Sequence, residues 1–311
     1  MPTIRIGTRR SALALAQSGM MQRAIAAAMA LPIEEVVLVE IVTTGDQIQD
    51  RRLMEVGGKA LFTKEIEEAL LDGRVDIAVH SMKDVPAEQP PGLTIAAIPE
   101  REDARDAFIS RDFQTLEALP HGGRLGTASL RRQAQALALR PDLQIEMLRG
   151  NIDTRLRRAA DGDFDAILLA ASGLNRLGRS DAVRGFLSVD AFLPAPGQGA
   201  LALQTREEDT DHAWVRAMNH GPTAIAVAAE RGAMVALEGS CRTAVGAHGV
   251  IDGDTLTLTT EMLAPEGTAR WRRSGEISGL GTPDSMERAR DLGLQLGREV
   301  HVAAGDQGVS L

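Results

Sequence analysis

The sequence contains no tyrosine, and aromatic residues make up only 3% of its 311 residues. Such a chain has few rings with which to build a base-stacking platform or an aromatic cage for a cation. Its net charge of -9 also argues against a general nucleic-acid binder, which is usually basic. An arginine-rich nucleic-acid binder is therefore the least favoured of the function classes considered below.

Cysteine occurs once, at Cys241, which excludes a disulfide within the chain. A single cysteine is typical of a reducing compartment, and we expect a cytoplasmic protein. The N-terminus reads as a first strand instead of a signal peptide, and no apolar run has the length that a bilayer requires, so no membrane partner is expected. The six histidines lack the spacing of metal ligands, and no metal site is predicted.

Lysine is also scarce, since it occurs only at Lys59, Lys64 and Lys83, and nearly all of the 34 basic residues are arginines. Arginine can bind a carboxylate through two parallel hydrogen bonds, which makes it the better residue for holding an acidic ligand. A biased genomic composition is the alternative explanation.

The apolar pattern predicts an α/β fold in which strands and helices alternate through two series, followed by a small α+β domain. Breaks at residues 99–103 and 194–199 indicate that the chain leaves the first lobe, builds a second and returns. We therefore predict two lobes with a cleft between them. The predicted domains are residues 1–98 with 200–218, residues 104–193, and residues 222–311.

Arginines lie at the start of three predicted helices, although the helix dipole disfavours cations there. The three runs are Thr8-Arg9-Arg10-Ser11, Gly126-Thr127-Ala128-Ser129-Leu130-Arg131-Arg132 and Arg149-Gly150-Asn151-Ile152-Asp153-Thr154-Arg155. Free backbone N–H groups, capping hydroxyls and guanidinium groups together form strong anion sites. For any one of these runs taken alone, an exposed arginine on a solvated helix face is the better explanation. Three together favour an anionic ligand, and Arg176 is a candidate for the same surface.

Two further residues are candidates for covalent or acid–base chemistry. Asp84 is predicted on a loop at the carboxyl end of a strand, where α/β sheets bind ligands, and it suits the stabilisation of a developing cation. Its alternative is a turn residue paired with Lys83. Cys241 lies between Ser240 and Arg242, whose charge favours the reactive thiolate. Burial as a small apolar side chain is the alternative for this cysteine.

Seven motifs, in order along nearly the whole chain, resemble those of the porphobilinogen deaminase (hydroxymethylbilane synthase) family. They are Ile6-Gly7-Thr8-Arg9-Arg10-Ser11-Ala12-Leu13-Ala14-Leu15, Gly57-Gly58-Lys59-Ala60-Leu61-Phe62, Ala78-Val79-His80-Ser81-Met82-Lys83-Asp84-Val85-Pro86, Gly126-Thr127-Ala128-Ser129-Leu130-Arg131-Arg132, Leu148-Arg149-Gly150-Asn151, Pro196-Gly197-Gln198-Gly199-Ala200 and Leu237-Glu238-Gly239-Ser240-Cys241.

The resemblance implies two lobes like those of periplasmic binding proteins, with mixed and mostly parallel sheets, and a small α+β third domain. It also implies a dipyrromethane cofactor joined through a thioether to Cys241. The enzyme would condense four porphobilinogen molecules on this primer, with loss of ammonia, and release hydroxymethylbilane by hydrolysis. It would act as a monomer on this small-molecule substrate.

The resemblance also implies roles for individual residues. Asp84 would be catalytic, and Lys59 and Phe62 would belong to a lid. The cofactor would be held by Ser81, Lys83, Thr127, Ser129, Arg131, Arg132, Arg149 and Arg155, in addition to Cys241. The substrate would be bound by Arg9, Ser11, Arg149, Arg155, Arg176 and Gln198.

A second function class explains the two crossings and the arginines equally well. In this alternative the chain is a two-lobed protein that binds a polycarboxylate without catalysis. Only the enzyme requires a covalent group on Cys241, so the mass of the denatured protein distinguishes the two.

Overall fold

The computed structural model describes residues 3–43, 63–237 and 244–305. The chain forms two compact units, Met1–Arg101 with Ala200–Ala224, and Glu102–Gly199 with Ile225–Leu311. The strands of the described residues are β1 Ile4–Thr8, β2 Val36–Glu40, β3 Ile77–Ser81, β4 Leu93–Ala97, β5 Asp106–Ile109, β6 Arg124–Gly126, β7 Gln144–Glu146, β8 Ala166–Ala170, β9 Gly185–Phe186, β10 Leu201–Arg206, β11 Ala244–Asp252, β12 Thr255–Leu263 and β13 Arg270–Ser278. The helices are α1 Ala12–Ala28, α2 Lys64–Leu71, α3 Leu130–Leu139, α4 Ile152–Ala160, α5 Ala171–Arg176, α6 Ala213–Arg216, α7 Gly221–Leu237 and α8 Ser285–Gly305.

The sheet of the first unit has the order β2-β1-β3-β10-β4. β1 pairs in parallel with β2 and β3, whereas β10 runs antiparallel to both of its neighbours. Strand β10 begins shortly after Gly199, where the chain returns to the first unit, and it inserts between β3 and β4. Helix α1 covers one face through Met21 and Ile25, which pack against Ile4 and Leu203. Strands β1, β2, β3 and β4 run in the same direction, so four of the five strands end at the same edge of the sheet.

The second unit contains a sheet of the same plan, with the order β7-β6-β8-β5-β9. β6 is parallel to β7 and β8, and β5 is antiparallel to β8 and β9. Strand β5 follows the outgoing crossing, just as β10 follows the return. Apolar residues of strands β5, β6 and β8, such as Phe108, Leu125 and Leu168, fill the core on one face of this sheet.

A three-stranded antiparallel sheet, β11-β12-β13, completes the second unit. The β11–β12 hairpin turns at Gly253, whose φ of +59° places it in the left-handed region that glycine tolerates. Helices α7 and α8 cover one face, where Ala229 and Leu292 pack with Leu258. The close approach of the two helices depends on Gly293, because a Cβ there would lie 1.9 Å from the carbonyl oxygen of Ala229.

The structure confirms the α/β prediction of two mixed, mostly parallel sheets and a small third sheet. The third sheet lies in the same compact unit as the second sheet. Helix α3 packs on the third sheet, where Ala134 contacts Ala244 and Leu263. The division into three domains remains a prediction.

The elements that the sequence did not predict are short, with two to six residues. Sequence analysis did not identify β5, β9 or the short helices α5 and α6. No helix among the described residues has the length and apolar character needed to cross a membrane.

Candidate functional site

The first unit brings two predicted segments to one edge of its sheet. β1 and β3 are adjacent and parallel, so the residues after Thr8 and after Ser81 leave the sheet at the same edge. Ser11 is the N-cap of α1, and its hydroxyl accepts a hydrogen bond from the Ala14 N–H at 3.3 Å. The amide of Gln17 on the same helix donates to the Ser81 hydroxyl at 2.9 Å. Arg9, Ser11 and Ser81 are half-buried at this edge.

Asp84 lies on a short 3₁₀ turn, Met82–Asp84, directly after β3. The backbone N–H of Val85 closes this turn on the carbonyl of Met82 at 3.1 Å, and the N–H of Met82 is held by the carbonyl of Ala200 at 3.0 Å. Asp84 is exposed, and Lys83 is half-buried. These hydrogen bonds hold the turn, and the Asp84 carboxylate is exposed at the sheet edge where the sequence predicted a ligand.

His80 precedes this turn and is buried, with its Nε2 atom 3.0 Å from the Gln204 side-chain oxygen. Burial lowers the pKa of His80 to about 4, and the charge of Arg9 acts in the same direction, against the opposing effects of Gln204 and Asp84. His80 is therefore neutral near pH 7, and its Nε2–H donates to Gln204. His80 therefore adds no positive charge to this edge near pH 7.

In the second unit, the carboxyl ends of β7, β6 and β8 lie side by side. The turn after β6 is ordered by Thr127, whose hydroxyl accepts from the Ser129 N–H at 3.1 Å. Ser129 is the N-cap of α3, and its hydroxyl accepts from the Arg132 N–H at 3.4 Å. The backbone at this turn supplies the helix N-terminus that favours an anion.

The turn after β7 begins a second helix at the same edge. Gly150 has a φ of +113°, a conformation that side-chain-bearing residues rarely adopt. Asn151 caps α4 by accepting from the Thr154 N–H at 2.8 Å. The guanidinium of Arg155 donates to the Gly150 carbonyl at 2.7 Å, and Arg149 lies half-buried before the turn. The two capped helix N-termini and these arginines form a second region suited to carboxylates.

Arg176, at the end of α5 after β8, is half-buried at this edge. Its Nη2 atom donates to the Gly199 carbonyl at 2.6 Å, whereas its Nε atom is buried without a hydrogen-bond partner among the described residues. Burial lowers the pKa of Arg176, and the charge of Glu102 partly opposes this effect. An unpartnered buried donor is costly, which is consistent with a position that a ligand acceptor would complete.

Arg131 and Arg132 differ from the other predicted arginines because both are buried, with 5% and 7% exposure. Both guanidinium groups lie 2.8 Å from carboxylate oxygens of Asp106, which is itself fully buried at the start of β5. Burial alone would raise the pKa of Asp106, but the charges of Arg131 and Arg132 outweigh burial and hold the pKa well below its usual range. This finding rules out the alternative of exposed arginines on a solvated helix face for these two residues.

The Asp106 group carries a net charge of +1, since two guanidinium cations share one carboxylate. Asp106 is paired with Ala170, the last residue of β8, so the buried charge lies at the edge where the helices begin. Gln198 donates to Asp106 at 2.9 Å and to the Ala104 carbonyl at 2.7 Å. The predicted substrate residue Gln198 thus contacts this buried group.

The same network continues to the third sheet through Gln135. Its amide donates to the Leu193 carbonyl at 2.9 Å and to buried Glu261 at 2.7 Å, and Arg131 also donates to Leu193 at 2.8 Å. Glu261 is paired with Arg272 at 2.6 Å. Arg131 is therefore fixed by contacts with Asp106, Gln135 and Leu193.

Sequence reasoning missed Asp106, Gln204 and the burial of His80. The only sequence signal for Asp106 was its position as a carboxylate shortly after the predicted break at residues 99–103. The only sequence signal for Gln204 was that a glutamine occurs within a buried strand. Cys241, Lys59 and Phe62 lie outside the described residues. Within the described residues, no cluster of histidine, aspartate and glutamate could hold a metal ion.

Known proteins resemble the chain over nearly its whole length. Residues 4–213 match the family model described as porphobilinogen deaminase, dipyromethane cofactor binding domain, and residues 224–301 match that of the porphobilinogen deaminase C-terminal domain. A porphobilinogen deaminase of Caulobacter vibrioides is 61% identical, with 98% of this chain and 97% of that protein covered. One from Phenylobacterium zucineum is 57% identical, with 98% of each covered. Among solved structures, a nutrient binding protein from Burkholderia cenocepacia bound to methionine has a TM-score of 0.43 at 16% identity, covering 69% of this chain and 89% of its own.

Proposed function

Because the chain belongs to the porphobilinogen deaminase family, we propose that it is a hydroxymethylbilane synthase. It condenses four porphobilinogen molecules head to tail, loses one ammonia for each, and releases hydroxymethylbilane by hydrolysis. The observation that carries this proposal is the edge of the second sheet, where two capped helix N-termini and the side chains of Arg149, Arg155 and Arg176 offer donors for several carboxylates.

A dipyrromethane group fits the donors of this edge. Each of its two pyrroles carries an acetate and a propionate, and the edge supplies hydroxyl, backbone N–H and guanidinium donors without a carboxylate among the predicted binding residues. The unpartnered Nε of Arg176 is one donor that such a ligand would satisfy. When attached through a thioether to Cys241, the group supplies the terminal pyrrole to which the first substrate is joined.

The protein residues then have separable tasks. Thr127 and Ser129 order the turn and, with Arg149 and Arg155, bind carboxylates. The buried pair Arg131 and Arg132 contributes a fixed positive charge, of which Asp106 neutralises half. This preorganised charge binds an increasingly acidic product without the reorganisation cost of solvent.

Asp84 performs the task that requires a carboxylate. Loss of ammonia from porphobilinogen leaves a cation, which an exposed carboxylate on a fixed turn stabilises electrostatically. His80 is neutral near pH 7 and does not add an opposing positive charge beneath this turn. Arg9, Ser11, Ser81 and Lys83 are the candidates for orienting substrate carboxylates at the same edge.

We also propose that the enzyme is cytoplasmic and monomeric, with Lys59 and Phe62 in a lid. The single cysteine supports a reducing compartment. Gel filtration with light scattering tests the oligomeric state, and a mass near 33.1 kDa is the expected result.

The test of the function is incubation of the purified full chain with porphobilinogen. Release of ammonia together with hydroxymethylbilane, detected after its acid-catalysed cyclisation and oxidation to a porphyrin, is the expected result. Binding of porphobilinogen without ammonia release would instead support the polycarboxylate-binding alternative.

A further inference from the structure

Gln204 is a buried polar side chain in β10, an interior strand of the first sheet, with 1% exposure. It lies on β10 opposite Ala78, so its side chain lies next to that of His80 on β3. The side-chain oxygen accepts the hydrogen bond from His80 at 3.0 Å. An amide that is removed from water in a sheet core requires partners for its donors as well.

The side-chain N–H groups of Gln204 donate mainly to the segment that follows Asp84. The Gln204 amide donates to the side-chain oxygen of Gln89 at 2.9 Å and, more weakly, to Glu67 at 3.5 Å. Gln89 in turn donates to the carbonyl of Pro86 at 3.1 Å. One side chain therefore connects the strand end before Asp84 with the loop after it.

The segment between these two attachments is short. Asp84 lies four residues after His80 and two residues before Pro86, so both ends of the segment are held from the sheet core. Buried polar networks in which each member is bonded fix one geometry more strictly than apolar packing does. A methionine of similar volume would fill the same space without fixing either end.

We propose that Gln204 is a positioning residue for Asp84, acting through His80 on one side and through Gln89 on the other. The proposal rests on the catalytic role of Asp84 given above. Displacement of a catalytic group by about 1 Å can cost roughly 100-fold in rate, so a loss of this connection affects turnover more than folding.

The first test is Gln204→Met in the full chain, with Gln22→Met as the matched control. Gln22 lies on α1 in the same unit and donates to the Val36 carbonyl at 2.6 Å, and among the described residues no hydrogen bond joins it to the Asp84 segment. We expect Gln204→Met to lower kcat at least about 10-fold with KM for porphobilinogen changed less than about 2-fold. Gln22→Met should leave kcat within about 2-fold of wild type.

The second test separates positioning from general destabilisation. Gln89→Met breaks the same connection from its half-buried end, and the double variant Gln204→Met with Gln89→Met should lose no more activity than Gln204→Met alone. Additive losses, or wild-type kcat in either single variant, would overturn the proposal. If Gln204→Met does not fold, the kcat of Gln89→Met alone tests the proposal, and a wild-type kcat would overturn it.

Two readouts accompany these assays. Intact mass before addition of substrate should show the same covalent loading of Cys241 in every variant, and reduced loading confined to the Gln204 and Gln89 variants would contradict a role limited to Asp84. Asp84→Ala is measured in parallel. If Asp84→Ala abolishes turnover and Gln204→Met does not, only the positioning role is refuted, whereas a fully active Asp84→Ala refutes the proposed function itself.

Discussion

Replacement of Asp106 by asparagine would test the buried charge at the start of α3. The substitution keeps the shape of the side chain but removes the carboxylate that lies 2.8 Å from the guanidinium groups of Arg131 and Arg132. Both arginines are buried, so neither can recover its hydration by a small movement. The variant would leave two like charges in the interior with no counter-ion.

Removal of one partner from a buried ion pair costs about 3–5 kcal/mol, because the remaining charge stays desolvated. For a unit of this size, each kcal/mol shifts the thermal midpoint by roughly 2–4 °C, so a loss of roughly 6–20 °C is expected. Arg131 and Arg132 keep hydrogen bonds to Leu193 and Leu168, which places the expected cost nearer the lower value.

The assay is thermal unfolding followed by circular dichroism, with Asp112→Asn as the control. Asp112 makes the same type of pair with Arg111, but both side chains are more than half exposed, and we expect no measurable shift there. The pKa of Asp106 is lowered in the folded state, so its contribution is complete above pH 4 and decreases as the pH falls below that value. A midpoint within about 2 °C of wild type for Asp106→Asn at pH 7 would refute the reasoning.

Three further predictions concern the two sheet edges. Asp84→Ala should nearly abolish turnover and leave unchanged both the unfolding midpoint and the excess mass that covalent loading adds to the bare chain, because Asp84 is exposed; a fully active variant would contradict this. Because the pKa of His80 falls from 6.5 to about 4 on folding, stability should decrease by up to about 3 kcal/mol as the pH falls between these values, and His80→Gln should flatten this slope in urea titrations. Ser129→Ala should cost about 1 kcal/mol of stability and weaken covalent loading, since the α3 cap is lost, whereas unchanged values would show that this cap is dispensable.

The sequence predicted the fold where its apolar pattern was regular. Helix α4 begins at Ile152, within the run where a helix start was predicted, because the Asn151 cap defines its start locally. Strand β5 was missed because its four residues are all buried and give no alternation. Its place between β8 and β9 depends on distant pairing that no local pattern encodes.

The sequence predicted the residue types of the candidate site and the sheet edge at which they lie. Parallel strands that end in Thr-Ala-Ser and Arg-Gly-Asn turns indicated an anion site, and the structure places both turns at one edge. The burial of Arg131 and Arg132 was not predictable, because it depends on Asp106 and Leu193, which are distant in sequence. The same holds for Gln204, whose partners come from a strand and a loop more than 100 residues away.

The central claim is that Cys241 carries a group built from substrate. Intact mass spectrometry of the freshly purified, denatured chain tests it directly, with Cys241→Ser as the reference. The account predicts an excess over the bare chain equal to two porphobilinogen molecules less two molecules of ammonia, absent from Cys241→Ser. A wild-type protein that is active in ammonia release but has the mass of the bare chain would contradict the claim.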